Sequence, residues 1–250
     1  MTLHDLIKIN KIALRYFVDS LQRHQDVYRY LRGRLSAACI ERFKLGYAPH
    51  SGLIDRLNTH DVPTEDVEAL GLIGLNEDGS AYEVFCNRVI IPIVHAGMLV
   101  GFGGRRMDAD TSKVKYLNSK ASILYTKGTV LYGLWHSRAS IRKEGFAIIE
   151  EGYFDWLSCF DAGITNVVAT CGTALTEDHC TMLKRYTKNI GVMLDGDDAG
   201  VKMAKKMVEV AREHGLSAKA IALPSGFDPD EYLAHYGKEK VLKLIAHVMR

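Results

Sequence analysis

Downstream of Gly145 the chain alternates short apolar runs of β type with segments of helical spacing, and no other feature narrows the possible folds as far. The runs are Phe146 to Glu150, Asn166 to Ala169, Ile190 to Leu194 and Ala218 to Leu223. Between the last two, Val201, Ala204, Val208 and Ala211 recur at helical intervals before Gly215, a residue suited to ending a helix. Strands that alternate with helices of this length predict βαβ crossovers and a mainly parallel sheet. The upstream texture is different. Residues 3 to about 45 carry helical spacing, with Leu14, Phe17, Val18 and Leu21 on one stripe. From Tyr82 come shorter runs, YEVF, RVIIPIV and MLVGFGG, with His95-Ala96-Gly97 as a tight turn between the last two, and these predict a small antiparallel sheet. The expected fold is an α+β N-terminal subdomain, residues 1–145, joined to an α/β subdomain with a mainly parallel sheet, residues 146–250, divided near 144 to 147.

Composition excludes several classes. The 250 residues are 47% hydrophobic with only 5 Pro, and 32 Lys+Arg against 30 Asp+Glu leave a net charge of +2. That balance rules out a histone-like polycation and an acidic disordered tail. The longest aliphatic run, Val89 to Val94, contains Pro92 and reads as a buried strand, so no membrane span is expected. Lys8, Lys11, Arg15 and Asp19 interrupt the place where a signal peptide needs apolar residues, and a cytoplasmic location is expected. The 5 cysteines are scattered without a C-x-x-C pair, which indicates reduced thiols rather than a disulfide framework or zinc ribbon. The charge is unevenly distributed. From Phe85 to Lys143 ten basic side chains face only Asp108 and Asp110, whereas from Ile148 to Arg250 there are 15 acidic and 12 basic side chains. A basic segment beside an acidic one suits a phosphate-binding surface around a cation site.

The acidic residues fall where a parallel sheet gathers ligands, at the carboxyl ends of its strands. Glu151 follows the first run and opens Glu151-Gly152-Tyr153-Phe154-Asp155; Asp195 and Asp197 follow the third; Asp228 and Asp230 follow the fourth. Carboxylates brought together repel one another, so a cation is their natural counter-charge. Oxygen donors without a Cys or His pair favour hard Mg²⁺ or Mn²⁺, the metals of phosphate chemistry. Each cluster alone has an ordinary reading, with Asp198 as a helix cap and Gly196 and Gly200 as turn residues. An EF-hand is excluded, because counting from Asp195 puts Lys206 at the twelfth position. No G-K-[S/T] occurs for a P-loop, and His179, Cys180 and Cys171 lack zinc-ligand spacing.

A Glu after one strand, Asp-x-Asp after a later one and a third acidic pair resemble the toprim fold shared by bacterial primases, topoisomerases and some nucleases. Further segments narrow the resemblance to bacterial DnaG-type primases: Phe43-Lys44-Leu45-Gly46-Tyr47-Ala48-Pro49, Arg88 in NRVIIPI, Gly101-Phe102-Gly103-Gly104-Arg105, Lys115-Tyr116-Leu117-Asn118-Ser119, Lys127-Gly128 and Leu131-Tyr132-Gly133. The resemblance covers most of residues 28 to 237. It implies a DNA-directed RNA polymerase of the primase type, a nucleotidyltransferase of DNA replication that makes short RNA primers on single-stranded DNA from NTPs. Asp195, Asp197, Asp228 and Asp230 would hold divalent metal, Glu151 would be a ligand or the base, and Asp155, one helical turn on, would support them. Arg88, Arg105, Lys115, Tyr116, Asn118 and Lys127 would bind template or nucleotide. A replicative helicase would be engaged through regions not in this chain. The family's zinc-binding domain and helicase-binding helices have no counterpart among these residues, so a cut-down core or a compact primase of phage or mobile-element type is expected. In Arg32-Gly33-Arg34-Leu35-Ser36 the pattern is one residue short, and either arginine can match the family's basic residue. The same carboxylates would also serve a toprim nuclease, and a degenerate core would be a non-catalytic nucleic-acid-binding module; retention of all five speaks against the latter.

Overall fold

The computed structural model describes residues 2–107 and 114–250. Asp108, Asp110 and Lys113 of the basic segment lie outside them. The chain packs as two compact units, Met1–Lys127 and Gly128–Arg250.

The first unit opens with helices α1 (Leu3–Arg23), α2 (Gln25–Arg32) and α3 (Ala37–Arg42). A reciprocal cap starts α1: the Thr2 hydroxyl accepts from the Asp5 N–H while the Asp5 carboxylate accepts from the Thr2 N–H. The buried stripe of α1 is Leu6, Ile9, Ala13, Phe17 and Leu21, with Leu14 and Val18 only partly covered. Next come β1 (Gly46–Ala48), α4 (Leu53–Asn58), α5 (Thr64–Ala69), β2 (Ile73–Leu75), β3 (Ala81–Glu83), β4 (Arg88–His95), β5 (Met98–Arg106) and β6 (Tyr116–Asn118). An antiparallel sheet runs β1-β4-β5-β6. Its central hairpin turns at Ala96 and Gly97, both with positive φ, as a two-residue turn between His95 and Met98 requires. The YEVF run behaves differently from RVIIPIV and MLVGFGG. Its strand β3 pairs with β2 in a separate two-stranded sheet. The buried Glu83 carboxylate at its end accepts the N–H groups of Gly52, Leu53 and Ile54, which ties β3 to the start of α4 instead of to β4.

The second unit contains α6 (Leu134–Glu144), β7 (Ala147–Glu150), α7 (Tyr153–Asp161), β8 (Val167–Ala169), α8 (Glu177–Lys184), β9 (Asn189–Val192), α9 (Asp198–Glu213), β10 (Ser217–Ala220), α10 (Pro229–Tyr236) and α11 (Lys238–Met249). The sheet order is β10-β9-β7-β8 and every pairing is parallel. Apolar side chains of β7, β8 and β9, including Ile149, Val168 and Val192, are fully buried, as strands covered on both faces must be. The two units part at Lys127/Gly128, upstream of the change in sequence texture at 144 to 147. Residues 128–145 pack with the parallel sheet: Tyr132 and Ala169 exchange backbone hydrogen bonds at the β8 edge, and Leu131, Leu134 and Ile141 join the core around Ile149 and Val168. Periodicity marks where β7 begins, whereas compactness follows where apolar surface is buried.

Candidate active site

Parallel order sends the carboxyl ends of β7, β8, β9 and β10 the same way, so the loops that follow them collect at one edge. Glu150 closes β7 and Glu151 follows it. Strand alternation separates these neighbours, leaving Glu150 wholly buried and Glu151 exposed. The loop after β8 clamps both backbones, with the Thr170 and Cys171 N–H groups donating to the Glu150 and Glu151 carbonyls at 3.1 and 2.7 Å. Asp155, in the first turn of α7, is buried, and its Oδ2 accepts the Gly152 N–H at 2.8 Å.

Asp195 lies beyond β9, at the mouth of a tight loop. A Cβ at Gly196 would collide with the Pro224 carbonyl and one at Gly200 with the Asp195 carbonyl, so only glycine permits this path. The Gly196 N–H donates to the Phe227 carbonyl at 2.9 Å, which ties the Asp-x-Asp loop to the Asp228 loop. Asp197, rather than Asp198, caps α9, its Oδ1 accepting the Gly200 N–H at 2.7 Å. Asp228 does the same for α10 through the Glu231 N–H at 2.7 Å, followed by Pro229 at the first helical position. Asp230 is buried, and its Oδ1 accepts from the Ser158 hydroxyl of α7 at 2.5 Å.

These carboxylates crowd one another. Burial, then Glu151, Asp228, Asp197 and Glu231, push half-buried Asp195 up to about 6. Burial, then Asp228, push Asp155 up to about 7; the Gly152 N–H pulls the other way, and Asp195 and Asp230 add to the rise. Glu150 lies well above the usual carboxylate range because it is buried and Asp155, Asp230 and Asp228 are near; the Cys159 thiol, which donates to it at 3.0 Å, opposes the rise. The acids therefore form an outer group around Asp195 and an inner group of Glu150, Asp155 and Asp230. Asp228 acts on both.

Oxygen-only donors in mutual repulsion fit a hard divalent cation. Among the described residues no three His, Cys, Asp or Glu side chains converge closely enough to enclose one. Asp197, Asp228 and Asp230 each hold one oxygen on a helix N-terminus or a hydroxyl. The Glu151 and Asp195 side chains make no hydrogen bond among the described residues.

In the first unit the predicted basic residues divide by burial. Arg88 is buried, and its guanidinium donates to the carbonyls of Gly104, Val114 and Lys115 at 3.1, 3.1 and 3.3 Å. The guanidinium thus fastens the Lys115 backbone and is itself enclosed. Gly104 leaves room for this side chain, since a Cβ there would meet Phe85 and the Arg88 Cδ. Gly104 thus serves packing. Arg105 lies over two rings, Tyr30 at 5.4 Å and Tyr116 at 5.8 Å, and donates to the Tyr116 hydroxyl at 3.3 Å. Lys115 sits over the same Tyr116 ring at 5.8 Å. Asn118 ends β6 opposite Gly103, and Lys127 is exposed in the short 3-10 turn Lys127–Thr129. Sequence reasoning missed Tyr30 and left the arginine beside it ambiguous. Arg34 donates to the Tyr30 hydroxyl at 3.2 Å and so joins the cluster, while Arg32 turns to the Leu35 carbonyl.

Two family profiles match in order along the chain: the N-terminal domain of the DNA primase catalytic core over residues 16–138, and a toprim-like domain over residues 148–233. A DNA primase of Aquifex aeolicus is 39% identical over 96% of this chain, which spans 50% of that protein. A DNA primase of Halalkalibacterium halodurans is 37% identical over 95% of this chain, which spans 41% of it. A solved DNA primase domain from Pseudomonas aeruginosa superposes with a TM-score of 0.87 at 32% identity, covering 97% of this chain and 78% of that one. The solved DnaG primase catalytic domain bound to ssDNA does so at 0.88 and 32% identity, covering 98% and 81%. The chain thus spans about half the length of the full-length relatives it matches. Given both modules in sequence order and the close superposition on primase domains over most of their length, the chain belongs to the bacterial DnaG-type DNA primase family and carries the N-terminal and toprim domains of its catalytic core.

Proposed function

We propose that this chain catalyses primer synthesis: it joins NTPs into short RNA on a single-stranded DNA template by metal-dependent nucleotidyl transfer. The crowding of Glu151, Asp197 and Asp228 on Asp195 at the carboxyl edge of the parallel sheet carries this reading, because that arrangement favours a divalent cation at the place where such sheets bind ligands. The relative bound to ssDNA supports a single-stranded template. Asp195, Asp197 and Glu151, with Asp228 and Asp230, would hold Mg²⁺ or Mn²⁺, which would supply neutralising charge for the triphosphate and the leaving pyrophosphate. Asp197 and Asp228 also fix the N-termini of α9 and α10, which keeps the two acidic loops in register through backbone bonds. Asp155 secures the start of α7 directly behind Glu151. Arg105, Lys115 and Lys127 would attract phosphate, and Tyr116, which Arg105 and Lys115 overlie, would with Asn118 take base or sugar.

The reaction belongs in the cytoplasm, and among the described residues no helix is long and apolar enough to cross a membrane. A replicative helicase would be engaged by parts of the longer family members outside these 250 residues. Incubation with a single-stranded template, labelled NTPs and Mg²⁺ or Mn²⁺ tests the proposal. Short RNA that forms only when NTPs and metal are both present is the expected product. Shortening of the template without NTPs would assign the carboxylates to a nuclease instead.

A further inference from the structure

The parallel-sheet unit carries a second charged surface that the carboxylate edge does not use. Helix α6 ends at Gly145, just before the amino end of β7, and α8 leads into the amino end of β9, so both helix C-termini arrive opposite the acidic loops. They are locked side by side: the Thr187 hydroxyl donates to the Gly145 carbonyl at 2.6 Å and the Asn189 amide to the same carbonyl at 3.2 Å. Exposed along α6 are Trp135, Arg142, Lys143 and a single acid, Glu144, with Arg138 half-exposed between Trp135 and Arg142; at the end of α8 stand Lys184, Arg185 and Lys188. The Arg138 guanidinium lies 3.6 Å over the Trp135 ring and also donates to its carbonyl, and Arg142 lies 4.8 Å over Tyr186, bridging the two helices.

The helix dipole accounts for cations at each C-terminus separately. It does not account for Trp135, which is 37% exposed in the first turn of α6, nor for bringing both basic ends onto one face, where they repel. Among the described residues none of Arg142, Lys143, Lys184, Arg185 and Lys188 makes an ion pair. Cations interleaved with partly open aromatic rings, at helical spacing of three and four residues, are what a flexible polyanion with stacking faces requires.

We propose that this α6–α8 face binds single-stranded nucleic acid, with the cations on phosphates and the Trp135 and Tyr186 rings against bases. The proposal goes beyond primer synthesis and does not depend on it. Trp135 supplies its own probe, because the other tryptophan, Trp156, is fully buried. Titrating the full chain with oligo(dT) should quench Trp135 emission, and the quench should vanish in Trp135→Phe. It should persist in an Arg105→Ala/Lys115→Ala variant, which disables only the first unit's basic cluster. In an Arg142→Gln/Lys143→Gln/Lys184→Gln/Lys188→Gln variant, affinity should fall about 10-fold or more at low salt. The slope of log affinity against log salt should drop by about 2 to 3, at about 0.7 for each single-strand phosphate left without its cation. A quench that survives Trp135→Phe, or an unchanged salt slope in the quadruple variant, overturns the proposal. Tighter binding of polyglutamate than of oligo(dT) also overturns it, assigning the face to an acidic protein segment.

Discussion

The two units hold their charged side chains in opposite electrostatic states. In the antiparallel unit the cations already have partners: Arg88 donates to three carbonyls and Arg105 lies across two tyrosine rings. In the parallel unit the carboxylates meet other carboxylates, and Asp155 and Asp195 are pushed up to about 7 and about 6. The arginines of the first surface are satisfied within their own unit, whereas the acids of the second repel one another. Removing a charge should therefore destabilise the first unit and relieve the second.

The widest separation between the two is expected at Asp195. Asp195→Ala should lower the proposed primer synthesis by about 10³-fold, since it removes the carboxylate proposed to hold metal where charge develops. The same change relieves repulsion of about 1 kcal/mol. It should therefore raise the metal-free melting temperature by about 2 to 4 °C and abolish the upward shift that Mg²⁺ gives the wild type. Salt-sensitive DNA binding should remain. Calorimetry with and without Mg²⁺, run beside the primer assay, checks all three, and a lower metal-free melting temperature in the variant would break the contrast.

Arg88→Met is the converse test. It leaves the Gly104, Val114 and Lys115 carbonyls short of a buried donor, and the expected loss is about 2 to 3 kcal/mol, read as a lower urea midpoint. Template affinity should fall as well, because Lys115 loses its backbone anchor. A variant as stable as the wild type would show that the guanidinium is not what organises the β4–β6 face.

The pattern of strands and acids was legible in the sequence because period and position are local. An apolar run followed by an acid at a strand end means the same thing wherever it occurs. Residues whose role depends on a partner far along the chain were not legible. Arg88 is expected from the resemblance to bind template or nucleotide, yet it is buried and its acceptors lie 16 to 27 residues away across a sheet. Asp198 looked like the cap of α9, but the chain enters that helix one residue earlier and Asp197 caps it while facing the cluster. Glu150 and Glu151 are equivalent as text, and only the last residue of β7 turning inward distinguishes them. The YEVF run has the right composition for the main sheet but is drawn to α4 by Glu83.

A third test separates the carboxylate edge from the body of its own unit, using pH. His179 is buried in α8, its Nδ1 accepts the Thr176 N–H at 3.3 Å, and burial lowers it to about 4 from an ordinary 6.5. Between those values the unfolded chain holds the proton and the folded chain does not. Stability is complete above about 6.5 and falls as pH drops toward 4, by about 2 kcal/mol at pH 5. Asp155 and Asp195 act in the opposite sense, because their raised values mean that protonation below about 7 and about 6 relieves repulsion and favours the fold. His179→Gln keeps the cap, since Thr-x-x-Gln is itself a capping box, and removes the titrating ring. The two senses oppose one another in the wild type, so the difference between the chains isolates the ring: from pH 7 to 5 the stability of the variant should gain on that of the wild type by about 2 kcal/mol, read from urea midpoints. The same pH dependence in both would place the titration elsewhere.

The smallest expected effect probes how the satisfied unit is built. Tyr30 comes from α2, its partner Arg105 from β5, and no local pattern joins them. A cation–π interaction at a partly exposed site contributes about 0.5 to 1 kcal/mol. Tyr30→Ala should therefore weaken single-stranded DNA binding by about 2- to 5-fold while leaving its salt slope unchanged, because no charge is lost. Arg105→Ala should reduce the slope itself by about 0.7, the amount for one phosphate. If Tyr30→Ala changes the slope as Arg105→Ala does, the ring is holding the guanidinium in reach of phosphate, and Arg105 without it no longer engages the strand. If neither variant changes it, the phosphates are held by Lys115 and Lys127, and the Arg105 stack is a fixture of the sheet.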